Sequence, residues 1–398
     1  MSTVQSNFRP SAAVFMPFYT GVRGGPDVAA MWLVESLCRD YDVTLVTTRH
    51  FDLDFFNRFA GTSLTRGQFR VIEAPSLPLP SGSPMAALQG PLFQRFARRC
   101  ARDFDVPISA MNVLDLGVPA IHFLADLIWL DLQSAVSEPT SAAGRAQSPL
   151  RRIYHGLCRR LYAPSGRDPL REDMVVSSSR WMSAALRNAF GIESPVIHPP
   201  VPTTPVAVPW EERRPDFVWL GRIAPIKNLE VAIAIVDGIR KAGFDCKLHV
   251  VGKADDKKYG AAMKALAERA GGWTVFEGPL YGERKDRFLA GFRYALHTCW
   301  EDNFPITLIE SIKSGCLSFG PDTFGSAEIL NHEALTFPTV EEAVRKIAGT
   351  LPDAGRVAAL REHLRARGEE FSADIFRRSV LRVAAKFIEQ RAECARQV

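Results

Sequence analysis

Short apolar runs alternate with amphipathic helical patterns in the first half of the chain. Ala12–Phe18 is apolar and predicts a buried strand, a helical pattern covers 27–38, and Asp42–Thr48 predicts the next strand. Strand, loop, helix and strand in this order predict a parallel βαβ unit. Ala120–Leu124 and Met174–Ser177 predict later strands of the same sheet. Asp27, near the helix start, is the predicted capping residue.

The same alternation restarts after a stretch rich in proline. Residues 194–214 contain six prolines, and because proline fixes φ and cannot sit in a central strand, we place the interdomain linker there. Beyond it, helices are predicted at 229–242, 259–270, 283–291 and 306–313, and strands at 217–220, 246–251, 274–277 and 294–298. We expect an α/β fold of two Rossmann-like, doubly wound domains that face each other across a cleft. The predicted division is 1–205, 206–371, and a last helix within 372–398 that packs back on the first domain.

The composition is that of an ordinary globular protein, with 46% apolar and 23% charged residues among 398. The net charge of +5 suits anionic substrates or an anionic membrane surface and does not by itself predict nucleic acid. The seven cysteines show no metal-binding spacing, which predicts reduced thiols in a cytoplasmic protein. The sequence shows neither the apolar run of a signal peptide nor a run long enough to span a membrane, so we expect any lipid contact to be peripheral.

Three segments of the predicted second domain point to a nucleotide diphosphate. Gly221 and Arg222 follow a strand directly, with Lys227 five residues on, and both cations can bind phosphate, although such residues are often simply exposed. Asp302 lies in a loop, eight residues before Glu310 inside a helix. The helix start between them offers N–H groups and a positive dipole end to a phosphate, whereas the alternative is a solvated acidic loop and helix.

The third segment contains Ser314–Phe319 and Gly325–Ile329, which predict a helix end, a strand and the start of another helix. Together the three segments resemble the retaining GT-B glycosyltransferases of family 4. The family pattern is GR…K, V-x-F-x-G, E-x7-E, A-x-G-x-P and G-x-x-E. This sequence offers, in the same order, Gly221-Arg222…Lys227, Val275–Gly278, Asp302…Glu310, Ser314–Leu317 and Gly325…Glu328.

The resemblance implies a role for each matching position. It implies that Arg222 and Lys227 bind the diphosphate and that Glu310 binds the ribose. The loop 302–306 would receive the sugar and the backbone near 276–280 the base. The donor-binding residues that it implies are Gly24, Gly25, Gly221, Arg222, Lys227, Phe276, Gly278, Asp302, Asn303, Phe304, Ile306, Thr307 and Glu310.

Two residues of the donor loop depart from the family pattern. Asp302 replaces the usual glutamate and shortens the reach of the carboxylate by one methylene. Pro305 replaces the usual second glycine and removes an N–H group. Since backbone donors in this loop would bind sugar hydroxyls, the choice of sugar can differ from the family norm.

The first domain carries two features near predicted strand ends. The loop Thr20–Gly25 contains the paired Gly24 and Gly25, which fit either a tight strand-to-helix turn or the family's glycine loop beside the donor phosphates. The family strand that ends in a His-Asp pair aligns with Ala125 and Asp126. Asp126 is therefore the candidate for orienting the acceptor or the sugar, while His122, which points to the opposite face of the strand from Ala125, is interpreted as structural.

Two arginine-rich stretches predict peripheral contact with an anionic membrane. Residues 93–104 carry four arginines, and 145–167 carry six arginines and no acid. A basic amphipathic helix can lie on such a membrane, although a solvated helix face packed on its own core is the alternative. The acceptor expected from the membrane interpretation is a lipid-linked glycan, and no nucleic acid is expected as a partner.

The sequence predicts no metal cofactor. Asp52-Leu53-Asp54 is the tripeptide of metal-dependent glycosyltransferases of another fold, but it follows a strand of the wrong domain and is interpreted as incidental. No other cluster of histidine and acidic residues suggests a metal. The expected substrate is a nucleotide diphosphate sugar.

The sequence thus predicts transfer of a sugar to a glycan or lipid-linked acceptor with retention, in bacterial-type surface polysaccharide assembly at the inner face of the membrane. The predicted catalytic residues are Asp126, Arg222, Lys227 and Asp302. Two alternatives stay open: a non-catalytic nucleotide-sugar-binding subunit, favoured by Ala125 and Pro305, and another GT-B enzyme such as a sugar-nucleotide epimerase or an inverting transferase.

Overall fold

The structure is a computed structural model that describes residues 9–17, 24–48, 51–75, 88–125, 165–204 and 206–397. The chain divides into two compact units. The first comprises Met1–Ser178, Met182–Pro199 and Phe376–Val398, and the second comprises Ser179–Trp181 and Pro200–Ile375.

The first unit contains a six-stranded parallel sheet in the described residues, ordered β3-β2-β1-β4-β5-β6. This is the strand order of a Rossmann-like domain. Its strands are β1 Ser11–Met16, β2 Asp42–Thr47, β3 Phe69–Glu73, β4 Val106–Ser109, β5 Ile121–Leu124 and β6 Met174–Ser177. Its helices before the linker are α1 Gly25–Leu37, α2 Leu53–Ala60, α3 Gln89–Ala101, α4 Pro169–Glu172 and α5 Arg180–Phe190, of which Arg180 and Trp181 cluster with the second unit.

The second unit contains another six-stranded parallel sheet, ordered β12-β11-β10-β7-β8-β9. Its strands are β7 Arg214–Leu220, β8 Leu248–Val251, β9 Thr274–Gly278, β10 Phe292–Leu296, β11 Leu317–Pro321 and β12 Thr336–Phe337. The helices are α6 Leu229–Lys241, α7 Lys257–Arg269, α8 Gly282–Leu289, α9 Ile306–Lys313, α10 Phe324–Leu330, α11 Val340–Thr350 and α12 Ala354–Glu369. The predicted α/β class with two doubly wound domains is confirmed.

The last helix, α13 Ala373–Gln397, belongs largely to the first unit. Phe376, Val380, Ala384 and Phe387 recur every three or four residues and are buried in the core that β1, β2 and α1 form. This spacing places them on one face of the helix, so the helix closes the first unit with a side chain in each turn.

Two strands of the first sheet escape the sequence prediction for physical reasons. Strand β3 lies at the sheet edge and contains only exposed and half-buried residues, so it lacks an apolar run. Strand β4 is buried but contains Pro107, a residue that ordinarily argues against a central strand. In the second sheet, the strand predicted at 294–298 is Phe292–Leu296 instead, and the chain leaves the strand at His297.

Candidate functional site

The second sheet has its topological switch point between β7 and β10. Strand β7 comes first in the chain of this sheet, yet it pairs with β8 on one side and with β10 on the other. In open α/β sheets, ligands bind outside the carboxyl ends of the strands at such a point. The segments that follow β7 and β10 are Gly221–Lys227 and His297–Asp302, which brings the first two predicted donor segments to the same edge.

The main chain of Lys227 is fixed at this edge by a threonine from the loop after β10. Lys227 ends a short 3₁₀ turn that begins at Pro225. The hydroxyl group of Thr298 donates to the Lys227 carbonyl oxygen at 3.0 Å and accepts from the indole Nε1 of Trp219 at 2.9 Å. The central strand β7 therefore holds Lys227 and the 297–302 loop together.

The Lys227 ammonium binds the carboxylate of Asp302. Nζ lies 2.5 Å from Oδ2, and the two side chains are only 24% and 17% exposed. Partial burial strengthens this charge pair relative to an exposed one. The structure thus joins two of the predicted catalytic residues.

The loop that follows Asp302 is anchored from both sides. Phe304 is buried in the core of the unit, with its ring centroid 5.6 Å from that of Phe371. The carbonyl oxygen of Asp302 accepts from the N–H of Gly325 at 2.9 Å, and a Cβ at Gly325 would lie 2.4 Å from the carbonyl oxygen of Asn303. Since the Phe304 side chain points into the core, this predicted donor-binding residue can reach a ligand only through its backbone.

His297 lies at the end of β10, beside Asp302, and the sequence prediction missed it. Its side chain is 6% exposed, and Nε2 lies 4.0 Å from Oδ2 of Asp302. Burial lowers the pKa of His297 to about 4; the Asp302 carboxylate raises the pKa and the Lys227 ammonium lowers it. A narrow crevice at this edge is lined by Leu220, His297 and Thr307 of helix α9, among others.

In the described part of the chain, one group of side chains has the geometry of a metal site. The ligand atoms of His297, Cys299 and Asp302 lie within 4.8 Å of one another. Burial raises the pKa of the Cys299 thiol, so Cys299 is not a thiolate at neutral pH. The ammonium of Lys227 already contributes the cation that pairs with Asp302. That no metal takes part stays a prediction.

Arg222 points to the loop after β8. Nη1 lies 2.5 Å from Oδ2 of Asp255, and both side chains are about half exposed, at 48% and 40%. The loops after β7 and β8 approach closely, because a Cβ at Gly252 would lie 1.8 Å from the carbonyl oxygen of Gly221. Gly252 is therefore needed for this packing, which the sequence prediction did not find.

Glu310 faces a lysine from helix α8. Lys285 forms an ion pair with Glu310, and both side chains are 15% exposed. Glu310 lies one turn into α9, after Ile306 and Thr307 of its first turn. The N-cap residue Pro305 makes no side-chain capping bond, so the helix start keeps main-chain N–H groups for a ligand. Lys285 is a further residue that the prediction missed, because a charged helix shows no sequence signal for its partner.

The predicted base-binding segment forms the irregular end of the sheet edge. Val250 pairs with Phe276 and Val251 with Gly278, so Glu277 is an extra residue in β9. Such a bulge redirects a side chain, and here Glu277 Oε1 lies 2.7 Å from Nδ1 of His249. Gly278 has a φ of +75°, a conformation that favours glycine. The half-buried ring of Phe276 packs against the core.

In the first unit, the structure describes only part of the predicted glycine loop. Gly24 is the N-cap of α1, and its N–H donates to Oδ2 of Asp27 at 2.8 Å, so Asp27 takes part in capping. Gly25 is the first residue of the helix. Residues 20–23, the candidate Asp126 and most of 145–167 lie outside the described residues.

His122 is buried and fully hydrogen-bonded. Its Nε2 lies 2.9 Å from Oδ2 of Asp173, and its Nδ1 accepts from the N–H of Leu114 at 3.5 Å. Arg167 pairs with the other oxygen of Asp173 at 2.7 Å. These contacts give His122 a structural place in the first unit.

Two other sequence features also have local structural partners. Helix α3 buries Phe93 and Ala97 in the first unit and ties Arg98 to Asp115 at 2.7 Å. Helix α3 exposes Arg95 and Arg99, and the exposed Arg102 follows directly after the helix. Asp52 caps helix α2, because its carboxylate accepts from the N–H of Phe55 at 3.0 Å. Within the described residues, no helix is both long enough and apolar enough to cross a bilayer.

Residues 214–353, which contain Lys227, His297, Asp302 and Glu310, match the family model of "Glycosyl transferases group 1". This part of the second unit is therefore similar to the group 1 glycosyltransferases, and the match supports a glycosyltransferase. No curated protein sequence matches the chain significantly.

Solved glycosyltransferase structures share the fold of the whole chain. HepE of Anabaena, solved with UDP and glucose, is 13% identical, with 94% of this chain and 100% of that chain covered at a TM-score of 0.67. Sucrose-phosphate synthase of Thermosynechococcus elongatus is 15% identical, with 96% and 100% covered and a TM-score of 0.67. WaaG, a glycosyltransferase involved in lipopolysaccharide biosynthesis, is 16% identical, with 92% and 99% covered and a TM-score of 0.62. At these identities the likeness establishes the GT-B fold.

Proposed function

We propose that this chain is a glycosyltransferase that transfers a hexose from a nucleotide diphosphate donor with retention of the anomeric configuration. The observation that carries the proposal is the Lys227–Asp302 pair at the switch point of the second sheet. A partly buried ammonium stabilises the charge of a leaving diphosphate, and the adjacent carboxylate accepts from hydroxyl groups of the sugar. The family match over 214–353 supports the same chemistry.

The remaining charge on the diphosphate is assigned to Arg222 and to the N-terminus of α9. The Arg222–Asp255 pair is about half exposed, so water screens it and a phosphate can replace the carboxylate at little cost. The first turn of α9 adds main-chain N–H groups and the positive end of the helix dipole. Glu310 is assigned to the ribose, in exchange for its contact with Lys285.

The proposed acceptor is a glycan or a lipid-linked glycan at the cytoplasmic face of a membrane. Arg95, Arg99 and Arg102 give helix α3 and the residue after it a basic surface, while the apolar face of the helix packs inside the first unit. Contact with anionic lipid would therefore be electrostatic and should weaken as salt rises. Asp126 remains the proposed residue for orienting the acceptor or the sugar.

A thermal-shift screen tests the donor site directly. UDP-, GDP-, ADP- and dTDP-sugars are added to the purified protein, and a ligand that binds the folded chain raises the melting temperature by mass action. We expect one nucleotide series to stabilise the wild type and Arg222→Ala and Glu310→Ala to reduce that stabilisation. If no nucleotide diphosphate stabilises the wild type, the donor-site assignment fails.

Turnover then separates the enzyme from a binding subunit. The selected donor is incubated with glycan and lipid-linked acceptors, and the anomeric configuration of the product is read by NMR. A product with the donor's anomeric configuration supports a retaining transferase, whereas an inverted product contradicts retention. Donor binding without any transfer favours the non-catalytic subunit, the alternative that Ala125 and Pro305 favour in the sequence.

A further inference from the structure

The imidazole of His297 leaves a polar atom buried without a protein partner. Nε2 has no hydrogen-bond partner among the described residues, and its side chain is 6% exposed. Buried polar atoms in native proteins are nearly always hydrogen-bonded, because an unpaired one destabilises the fold. A histidine that remains unpaired at the carboxyl end of β10 therefore calls for a ligand that completes its bonding.

The hydrogen bonds around the ring decide which nitrogen carries the proton. The backbone of Cys299 hydrogen-bonds the ring in the sense that raises the pKa of His297, as a carbonyl oxygen that accepts from a ring N–H does. Since Nε2 has no hydrogen-bond partner among the described residues, we assign this bond, and with it the ring proton, to Nδ1. With its pKa lowered to about 4 by burial, the ring is neutral at physiological pH. Nε2 then presents a lone pair and acts as an acceptor.

Nε2 shares this position with a second acceptor and a cation. Oδ2 of Asp302 lies 4.0 Å from Nε2 and 2.5 Å from the Lys227 ammonium. Two acceptors do not bond each other, and 4.0 Å exceeds the length of a hydrogen bond. A hydroxyl group matches two of these groups, since its hydrogen is donated to Nε2 while its oxygen accepts from Lys227, and Asp302 keeps its own bond to the ammonium. Under the proposed function, the donor sugar brings hydroxyl groups to this edge of the sheet.

We propose that Nε2 of His297 accepts a hydrogen bond from a hydroxyl group of the donor sugar and makes His297 a specificity-determining residue. This inference rests on the proposed function, because it assigns the place of the sugar within the same donor site. His297 lines a narrow crevice with Leu220 and Thr307 at the switch point of the sheet. A donor that lacks the contacted hydroxyl loses this bond and leaves Nε2 unpaired.

Binding of paired ligands distinguishes this role from a structural one. UDP and UDP-glucose, and the corresponding GDP, ADP and dTDP pairs, are titrated by calorimetry into the wild type and His297→Phe. Phenylalanine keeps a ring of similar size and removes the acceptor. For the pair that binds the wild type, we expect His297→Phe to weaken the nucleotide sugar about five- to ten-fold and to leave the nucleotide diphosphate unchanged.

Two further variants keep the test decisive. His297→Gln retains a distal acceptor oxygen and should recover part of the lost affinity, and it replaces His297→Phe if the latter does not fold. His363→Phe removes a half-buried imidazole of the same unit, whose Nε2 contacts the Leu330 carbonyl oxygen at 2.8 Å, and should change neither affinity.

Donors deoxygenated at single sugar positions complete the experiment as a double-mutant cycle. One deoxy donor should bind the wild type about five- to ten-fold less tightly than the complete nucleotide sugar does. The His297→Phe variant should bind this deoxy donor and the complete nucleotide sugar equally well. Equal loss for nucleotide and nucleotide sugar, or no loss for either, overturns the role of His297. Failure of every nucleotide to bind the wild type instead overturns the proposed function.

Discussion

The Lys227 ammonium lies 2.5 Å from the Asp302 carboxylate across 75 residues of sequence. The pair forms because β7 and β10 are neighbours in the sheet, so the loops that follow them meet at the same edge. Thr298 adds a hydroxyl bond that fixes the main chain of Lys227 against the loop that leads to Asp302. Each residue thus neutralises the charge of the other. Under the proposed function, a donor supplies a diphosphate for the lysine and hydroxyl groups for the carboxylate.

Lys227→Met should weaken binding of a nucleotide diphosphate about ten- to one hundred-fold, because a charge-assisted hydrogen bond contributes about 1.5–3 kcal/mol. Isothermal titration calorimetry at low salt measures this loss. Lys241→Met is the matched control, since it also breaks an ion pair, to Asp237 at 2.6 Å, on an exposed helix face. If Lys227→Met and Lys241→Met bind the nucleotide diphosphate with similar affinity, Lys227 does not bind the diphosphate.

Glu310→Gln should weaken binding of a nucleoside diphosphate about ten-fold and leave the affinity for inorganic pyrophosphate unchanged, because the carboxylate is assigned to the ribose. Lys285→Met is the second variant of this experiment, since Lys285 forms an ion pair with Glu310 when no donor is bound. It should leave nucleotide binding intact or strengthen it, because the ribose no longer competes with the ammonium. A loss of pyrophosphate affinity in Glu310→Gln would place this carboxylate elsewhere.

The sequence was sufficient to predict several elements of both units, among them helix α9 of the candidate donor site. Helix 306–313 and strand 174–177 match their predicted bounds, because each is an apolar pattern bounded by polar or turn residues. The contacts between the elements were not predictable in the same way. Lys285 and Glu310 meet through helix packing, and the burial of His297 follows from its place at the end of a central strand. A local pattern records neither the neighbours of a strand nor the depth at which its last residue lies.

The stability of the second unit should depend on pH through His297. Its pKa of about 4 in the folded chain lies below the ordinary value of 6.5, mainly because of burial. Between these values the unfolded chain binds more protons, so stability is lost as the pH falls from about 7 toward 4, by up to about 3 kcal/mol. Asp302 and Lys227 face the ring and act on its pKa in opposite directions.

Urea denaturation of the wild type and His297→Phe between pH 4.5 and 7.5 isolates this contribution, because the other titrating groups are common to both proteins. The wild type should lose stability relative to the variant as the pH falls, by about 1.4 kcal/mol per pH unit at most. A difference that stays constant over this range would show that the ring does not titrate as its burial requires.

Gly325→Ala should disturb the 302–305 loop through its main chain. The new Cβ would lie 2.4 Å from the carbonyl oxygen of Asn303 and 2.9 Å from Cδ of Pro305, so main-chain atoms would have to move. We expect a loss of about 1–3 kcal/mol in the free energy of unfolding from this overpacking. Donor affinity should fall as well, since the same shift breaks the bond from the Gly325 N–H to Asp302 and moves Asp302 away from Lys227.

Gly349→Ala is the control, because its Cβ would meet nothing within 4 Å inside a helix, and it should stabilise the unit by about 0.5–1 kcal/mol. Thermal melting with and without the donor measures both the change in stability and the change in donor affinity. If the donor raises the melting temperature of Gly325→Ala as much as that of the wild type, the geometry of the 302–305 loop does not control binding.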